Sequence, residues 1–220
     1  QEQKSKPTQH AVKYLLSAGL PPDLIFCRAS SPLERAVAKK ISLFCMVPPT
    51  NVISVHNVSN VMYVPQLLLD QNVPGLILNH LRINRSPIES IPQWTSLAHR
   101  VDNVSTVVKI AIVGKYTAMH DAYLSIIKSL FYASLHCNRK VENVWIEASD
   151  LELSSRSSSP EQFTKAWQLL KGCHGILVPG GFGDRGVEGM ILAAHYARET
   201  GIPYFGICLG FQVAVIEFCR

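Results

Sequence analysis

The stretch that decides the fold is Val107-Val108-Lys109-Ile110-Ala111-Ile112-Val113, a nearly continuous apolar run that ends at Gly114. A short run apolar on both faces reads as a strand buried inside a parallel sheet rather than at a wet surface. Downstream, residues 121–136 place Tyr123, Ile126, Ile127, Leu130 and Phe131 at helical spacing. NVWIE (143–147) is the next strand, and the polar, low-complexity SSRSSSP (154–160) reads as a loop. Pro160 then opens a helix carrying Phe163, Ala166, Trp167 and Leu170. GILV (175–178) is a strand, 187–199 a helix closed by Gly201, and PYFGI (203–207) a further strand. Strictly alternating strands and helices imply an α/β fold with a doubly wound parallel sheet, whose ligands sit beyond the carboxyl ends of the strands.

A second alternating unit lies upstream. LIFC (24–27) and VISV (52–55) read as short buried strands. Between them the spacing predicts a helix over 32–45, opened by Ser31-Pro32 with Glu34 in its first turn. Another is expected over 8–18, capped by Thr8 and stopped by Gly19. Residues 81–106 break the rhythm with Pro87 and Pro92 and read as a connector, in which Trp94, Leu97 and Val101 mark one amphipathic helix. The expected division is therefore two α/β units, 1–80 and 107–220, each a doubly wound parallel-sheet unit and each incomplete, joined by 81–106.

With 47% hydrophobic and 17% charged residues among 220, the chain is long and apolar enough to bury a core. It has no run of about 18 apolar residues, hence no transmembrane helix. It has no basic-then-apolar leader, and Gln1 reads as an internal residue rather than a natural start. Net charge is +5, and residues 1–40 carry seven Lys/Arg against three acids. A short basic excess of this kind suits a phosphate-bearing small ligand, and is too weak for duplex nucleic acid. The plain alternative is a solvated surface. The six cysteines (27, 45, 137, 173, 208, 219) show no CxxC spacing, which argues against zinc or a disulfide framework and for buried, reduced thiols in a cytoplasmic protein.

One cysteine stands apart. Gly206-Ile207-Cys208-Leu209-Gly210 follows an apolar strand and precedes an apolar run with Val213, Ala214 and Ile216. This is the pattern of a sharp strand-to-helix elbow, where small neighbours let a strained nucleophile turn close. Cys208 then sits at a helix N-terminus, where amide dipoles favour an anionic sulfur, and Leu209 offers a backbone N–H to an oxyanion. The competing reading is a plain core cysteine. Upstream, Val178-Pro179-Gly180-Gly181-Phe182-Gly183 follows the strand GILV and exposes backbone N–H groups that complete an oxyanion hole if it lies beside the elbow. A phosphate loop is the alternative there, but GGFGDRG lacks the Lys-Ser/Thr of a P-loop.

GICLGFQ around Cys208, with PGGFGDRGVEGM upstream, resembles the glutaminase domain of class I glutamine amidotransferases. IVGKY (112–116) followed by DAYLSIIKSL, and KSKPTQH (4–10) near the start, are similar to the CTP synthase family, and the resemblance spans essentially the whole chain. It implies a ligase forming a C–N bond: UTP is aminated to CTP with ATP and Mg²⁺, the ammonia coming from glutamine. It implies Cys208 as the thiolate nucleophile, Gly181 and Leu209 as oxyanion donors, and Gly181, Leu209, Gly210, Phe211 and Gln212 around glutamine. It further implies Lys4, Ser5, Lys6, Pro7, Thr8, Gln9 and Lys40 on UTP or inhibitory CTP, and His56, Asn57 and Val58 on ATP. GTP as activator and a homotetramer follow from the same resemblance; nucleic-acid and membrane partners do not. The residues agree chemically: lysines are point charges for a triphosphate, and Gln9 carries a donor and an acceptor that read a pyrimidine edge.

Two departures bear on activity. Asn57 stands where the family often has an acid. The family's Gly-rich ATP loop and Mg²⁺ acids are not found here, and no His follows Cys208, the eight being at 10, 56, 80, 99, 120, 136, 174 and 195. His195 lies on a helix face and reads as structural. The expectation is a segment that, by itself, turns over no glutamine, for want of a positioned proton carrier. Two rival readings remain: another Cys-elbow enzyme such as a γ-glutamyl hydrolase or DJ-1-like protein, which leaves residues 1–80 unexplained, and a non-catalytic nucleotide-binding or assembly module.

Overall fold

The computed structural model describes residues 3–117 and 119–220, residue 120 without its side chain. The chain divides into two compact units, Gln1–Asn103 and Val104–Arg220.

In the first unit, helix α1 (Lys6–Ser17) leads to strand β1 (Ile25–Ala29), helix α2 (Arg35–Cys45) and strand β2 (Val52–His56). The two strands pair in parallel from Ile25↔Val52 to Ala29↔His56. Helices α3 (Val64–Leu69), α4 (Val73–His80) and α5 (Pro92–Asn103) follow. Val12, Ile25, Ile41, Cys45 and Val52 form the core between helices and sheet. Helix α5 belongs to this unit. Trp94 Nε1 donates to the Met62 carbonyl at 2.6 Å, and Asp102 accepts from Asn60 at 2.7 Å and Ser59 at 2.8 Å.

Two helix starts differ from expectation. Helix α1 begins at Lys6, with Ser5 as its N-cap and Thr8 already inside, because Pro7 in the first turn lacks an N–H and has a preset helical φ. Helix α2 begins at Arg35 rather than near Pro32. Leu33 N–H donates to Ser54 Oγ and Glu34 N–H to Gln3 Oε1, which hold that chain extended.

The second unit runs β3 (Val107–Gly114), α6 (Leu124–His136), β4 (Lys140–Glu147), the single turn α7 (Ser155–Ser158), α8 (Pro160–Lys171), β5 (Gly175–Val178), α9 (Val187–Thr200), β6 (Tyr204–Gly206) and α10 (Leu209–Cys219). All four strands are parallel, in the order β4-β3-β5-β6. The chain goes from β3 out to β4, returns to β5 on the other side and continues to β6. The topological switch therefore lies between β3 and β5, the place where such sheets open a crevice at their carboxyl ends. Beneath it, Ala111, Val113, Ile146, Leu170, Ile176, Val178, Met190 and Val213 form one buried cluster.

The fold is thus mixed α/β with two parallel sheets. All six cysteines are free; Cys27, Cys45 and Cys173 are buried and Cys137, Cys208 and Cys219 exposed, so the expectation of buried thiols for the cysteines other than Cys208 fails at Cys137 and Cys219. No helix among the described residues is long and apolar enough to cross a membrane.

Leu170 has no exposed surface and sits in the middle of the second core, whereas Leu153 is 67% exposed. Leu170→Ala should lower stability in urea denaturation by about 2–5 kcal/mol, and Leu153→Ala by less than about 0.5 kcal/mol.

Candidate active site

The elbow is built from two glycines without side chains. A Cβ on Gly210 would lie 2.0 Å from the Val178 carbonyl oxygen, and one on Gly206 would lie 2.4 Å from the Gly210 carbonyl. Neither site admits any other residue. The ladder holds up to the turn, with Ile207 N–H donating to the Val178 carbonyl at 2.9 Å. Helix α10 then starts at once: Gly210 N–H bonds the Ile207 carbonyl at 2.9 Å and Gln212 N–H the Cys208 carbonyl at 3.1 Å. Cys208 between them has φ 54° and ψ −107°, a left-handed conformation costing a non-glycine residue about 1–3 kcal/mol. Tyr204 braces the turn from below, its hydroxyl donating to the Gly210 carbonyl at 2.7 Å. Burial pushes that phenol well up from its ordinary range, so it stays a donor.

The sulfur of Cys208 is exposed and has no hydrogen-bond partner among the described residues. Beside it runs the loop that follows β5. The Cβ position of Gly180 is 3.4 Å from Cys208 Cβ, and that of Gly181 is 3.7 Å from Leu209 Cδ2. Leu209 is the first residue of α10, so its N–H lies outside the helix's own ladder. The Gly181 N–H has no acceptor among the described residues. The loop thus meets the elbow at two points, Gly180 at Cys208 and Gly181 at Leu209, and the amides of Gly181 and Leu209 are unused among the described residues. Gly210 instead packs under the turn, and Phe211 and Gln212 are exposed on the first turn of α10.

Three residues that carried no signal in the sequence hold this loop. Lys115, just past β3 and only 3% exposed, donates from Nζ to the carbonyls of Phe182, at 3.2 Å, and Gly183. Arg185 donates to the Lys115 carbonyl and to Glu147 Oε1, at 2.5 Å for the latter. Glu147, at the end of β4, also accepts from Thr117 at 2.8 Å. The carboxyl ends of β3, β4 and β5 are thereby tied together at the switch point. Lys115 follows β3 directly and Glu147 closes β4, whereas Arg185 lies seven residues past the end of β5.

His195 does not reach Cys208. Its Nδ1 lies 2.8 Å from Glu217 Oε1, and Arg198 donates to the same carboxylate at 2.9–3.2 Å. Glu217 is eight residues beyond Leu209, which is about 12 Å along the helix axis.

In the first unit, Lys4, Ser5, Lys6, Pro7 and Lys40 line one cleft of 620 Å³ together with Gln3, Glu34, Ala36 and Val37. Thr8 and Gln9 do not line it; Gln9 Nε2 donates to Ser5 Oγ at 3.0 Å and so reaches it only through Ser5. His56 closes β2, with Asn57 and Val58 just beyond it, and none of the three lines that cleft. Asn57 Oδ1 accepts from Arg28 Nη2 at 2.5 Å, and Val58 lines a smaller hollow of 260 Å³ with Ser59 and Tyr63.

Comparison with known proteins gives this layout a family. Residues 1–83 match the model described as CTP synthase N-terminus, and residues 118–220 the model described as glutamine amidotransferase class-I. Over its full length the chain is 51% identical to the CTP synthase of Dictyostelium discoideum, covering 41% of that protein. The chain belongs to the CTP synthase family. It is also 49% identical to CTP synthase of Schizosaccharomyces pombe and 46% to CTP synthase 1 of Homo sapiens, covering 38% and 37% of them. It thus spans about two fifths of the length of the curated relatives it matches. The glutaminase domain of Trypanosoma brucei CTPS, solved with bound acivicin, is 40% identical; that match covers 51% of this chain and 40% of that one, with a TM-score of 0.45. In this CTP synthase family member the two family matches fall one on each structural unit.

The Glu217 cluster generates a pH dependence. Hydrogen bonds from Arg198, then from His195, hold the Glu217 carboxyl at about 2, below its ordinary 4.5. A depressed carboxyl contributes stability that is complete above its unfolded value and is lost as pH falls toward the folded one. Glu217→Gln should therefore be less stable than the parent at pH 7. The gap measured by urea denaturation should close between about pH 4.5 and 2. A gap independent of pH would assign the loss to packing.

Proposed function

We propose that this chain carries the glutaminase nucleophile and part of the pyrimidine-nucleotide site of a glutamine-dependent CTP synthase. The observation that carries the reading is the strained, exposed Cys208, held beside the unused amides of Gly181 and Leu209. The Cys208 thiolate adds to the glutamine carboxamide and the two N–H groups receive the oxyanion; as it collapses, the leaving nitrogen takes a proton from an acid outside the described residues and departs as ammonia, leaving a glutamyl thioester that water hydrolyses. Cys208 has no histidine partner among the described residues, so the segment alone is proposed to be inactive or nearly so.

The ammonia is used elsewhere, to aminate UTP at C4 after ATP activates the uracil oxygen. Lys4, Lys6 and Lys40 serve the nucleotide phosphates, Ser5 and Pro7 shape the cleft, and Thr8 and Gln9 support it from α1. His56, Asn57 and Val58 serve ATP. We keep the functional division at 1–80, 81–106 and 107–220. We also place the intact enzyme in the cytoplasm as a homotetramer, inhibited by CTP and activated by GTP. The Mg²⁺ that accompanies ATP finds no group of three ligating side chains among the described residues, so no step here runs through it.

Two measurements test this. In a full-length CTP synthase carrying this segment, Cys208→Ala should abolish glutamine-supported CTP formation and leave ammonia-supported formation within about twofold to threefold, because the amination site is separate from the elbow. Loss of both makes Cys208 structural. Lys40→Ala should raise the KM for UTP at least about tenfold, the worth of one charge-assisted phosphate contact, with the KM for glutamine unchanged. Equal shifts in both would remove Lys40 from the nucleotide site.

A further inference from the structure

Lys115 is the most buried charged residue among the described residues, and its placement has no use in the reaction just described. Its ammonium faces no carboxylate within ion-pair distance among the described residues; it is met by two backbone carbonyls, those of Phe182 and Gly183. A buried ammonium that spends its donors on main chain fixes peptide planes, and here it fixes those of 182–183 and 183–184, just past Gly181. Its stem does a second thing. The Cβ position of Gly181 is 3.3 Å from Lys115 Cδ and 3.5 Å from Cε, so the side chain lies flat against the back of the Gly181 Cα. The backbone of Lys115 is fixed in turn. Its N–H donates to the Tyr123 hydroxyl at 3.3 Å, and its carbonyl accepts from Arg185, which sits on the same loop two residues past Gly183. The loop is thus gripped from both sides, by Nζ ahead of Arg185 and by Arg185 on the Lys115 carbonyl.

We infer that Lys115 is a positioning residue for the oxyanion hole: it holds the loop of residues 181–183 at the carboxyl end of β5 so that the Gly181 N–H stays beside Cys208. This rests on the glutaminase reading for its catalytic meaning, though not for its geometry. A glycine-rich loop has little stiffness of its own, because Gly180, Gly181 and Gly183 each keep wide backbone freedom. An oxyanion donor acts only if it is already aimed when charge develops. The missing rigidity is supplied from the neighbouring strand. A leucine at 115 fills the same space but leaves the Phe182 and Gly183 carbonyls without their donor.

The test uses the 220-residue chain, its Lys115→Met and its Lys115→Arg variants, and two probes. Hydrogen exchange reads the loop directly. In Lys115→Met, amides of residues 181–183 should exchange at least about tenfold faster while β5 and α9 are unchanged. The chloromethyl ketone analogue of glutamine reads the hole. The Cys208 sulfur forms a bond to the methylene carbon, the carbon–chlorine bond breaks and chloride leaves, with the ketone oxygen beside Gly181. The maximal alkylation rate should fall about tenfold or more, since loosening a donor costs less than the 10²–10³-fold of deleting one. Half-saturating probe should change less than about threefold, and alkylation by iodoacetamide, which needs no aimed donor, likewise. Lys115→Arg, which keeps charged donors toward the carbonyls, should recover most of the rate. Unchanged loop exchange, or an exchange increase spread across the whole second unit, overturns the proposal; so does a rate loss shared by iodoacetamide. If the parent chain shows no saturable, glutamine-protected alkylation, loop exchange alone decides whether Lys115 holds the loop, and the Cys208→Ala result in the full-length enzyme decides the glutaminase reading.

Discussion

Gly210 meets the carbonyl of Val178 with no room for a Cβ, and the second unit is arranged around that contact. It brings the first turn of α10 down onto the end of β5, closer than any side chain allows. Two consequences follow. The strand-to-helix turn becomes too tight for ordinary backbone, so Cys208 is forced into left-handed space. Helix α10 also starts immediately after the turn, and Cys208 at its N-cap is left exposed. The core contributes the force that keeps the strain in place: Val178, Val213 and Met190 are fully buried around the same junction. Burial of each such side chain is worth about 1.5–3 kcal/mol, comparable with the backbone strain that it holds.

The position of the site follows from strand order rather than from strand content. β3 and β5 are neighbours, paired Ile110↔Gly175 to Ile112↔Leu177, although α6, β4, α7 and α8 lie between them in the chain. The crossover direction changes there, so the connections after β3 and β5 leave on opposite faces and a gap opens between them. Lys115 fills that gap from one side and Arg185 returns from the other, while Glu147 neutralises Arg185 from the end of β4. The elbow sits one strand further along, after β6. A loop that spans the gap and the Cys208 elbow that flanks it therefore come from separate parts of the fold, which is why both glycine pairs are needed.

The local half of this was readable from residues. GILV appears as β5 over Gly175–Val178, the run 107–113 as β3 with Gly114 added, and the glycines either side of Cys208 as the elbow they spell. Each is a signal contained within a few residues. What escaped depends on partners far away in sequence. Lys115 reads as an ordinary surface lysine until β3 is known to lie beside β5, because its acceptors are 67 and 68 residues away. Glu34 becomes a cap only because Gln3 reaches it across 31 residues. Helices α3 and α4 are short and joined at Asn72, whose φ of 54° breaks the run, so no helical period builds up. Of the candidate nucleotide residues, the basic and small ones at 4–7 and 40 share a cleft, but Thr8 and Gln9 do not line it, since the helix begins two residues earlier than their spacing suggests.

The chain uses lysine in two opposite ways, and burial decides which. Lys4, Lys6 and Lys40 are exposed around an open cleft of 620 Å³, each a hydrated charge that a phosphate can meet at modest desolvation cost. Lys115 has already left water, and a desolvated ammonium is tolerated only where its protons find fixed acceptors. Those acceptors are main-chain carbonyls, which cannot withdraw as a carboxylate on a flexible side chain can. The cost of burying the charge therefore acts as a restraint on the loop: any motion that carries Phe182 and Gly183 away strands the ammonium. A solvated lysine at the same place would leave the loop free. The same residue type thus stays hydrated around an open cleft in one unit and donates to backbone carbonyls from a buried position in the other.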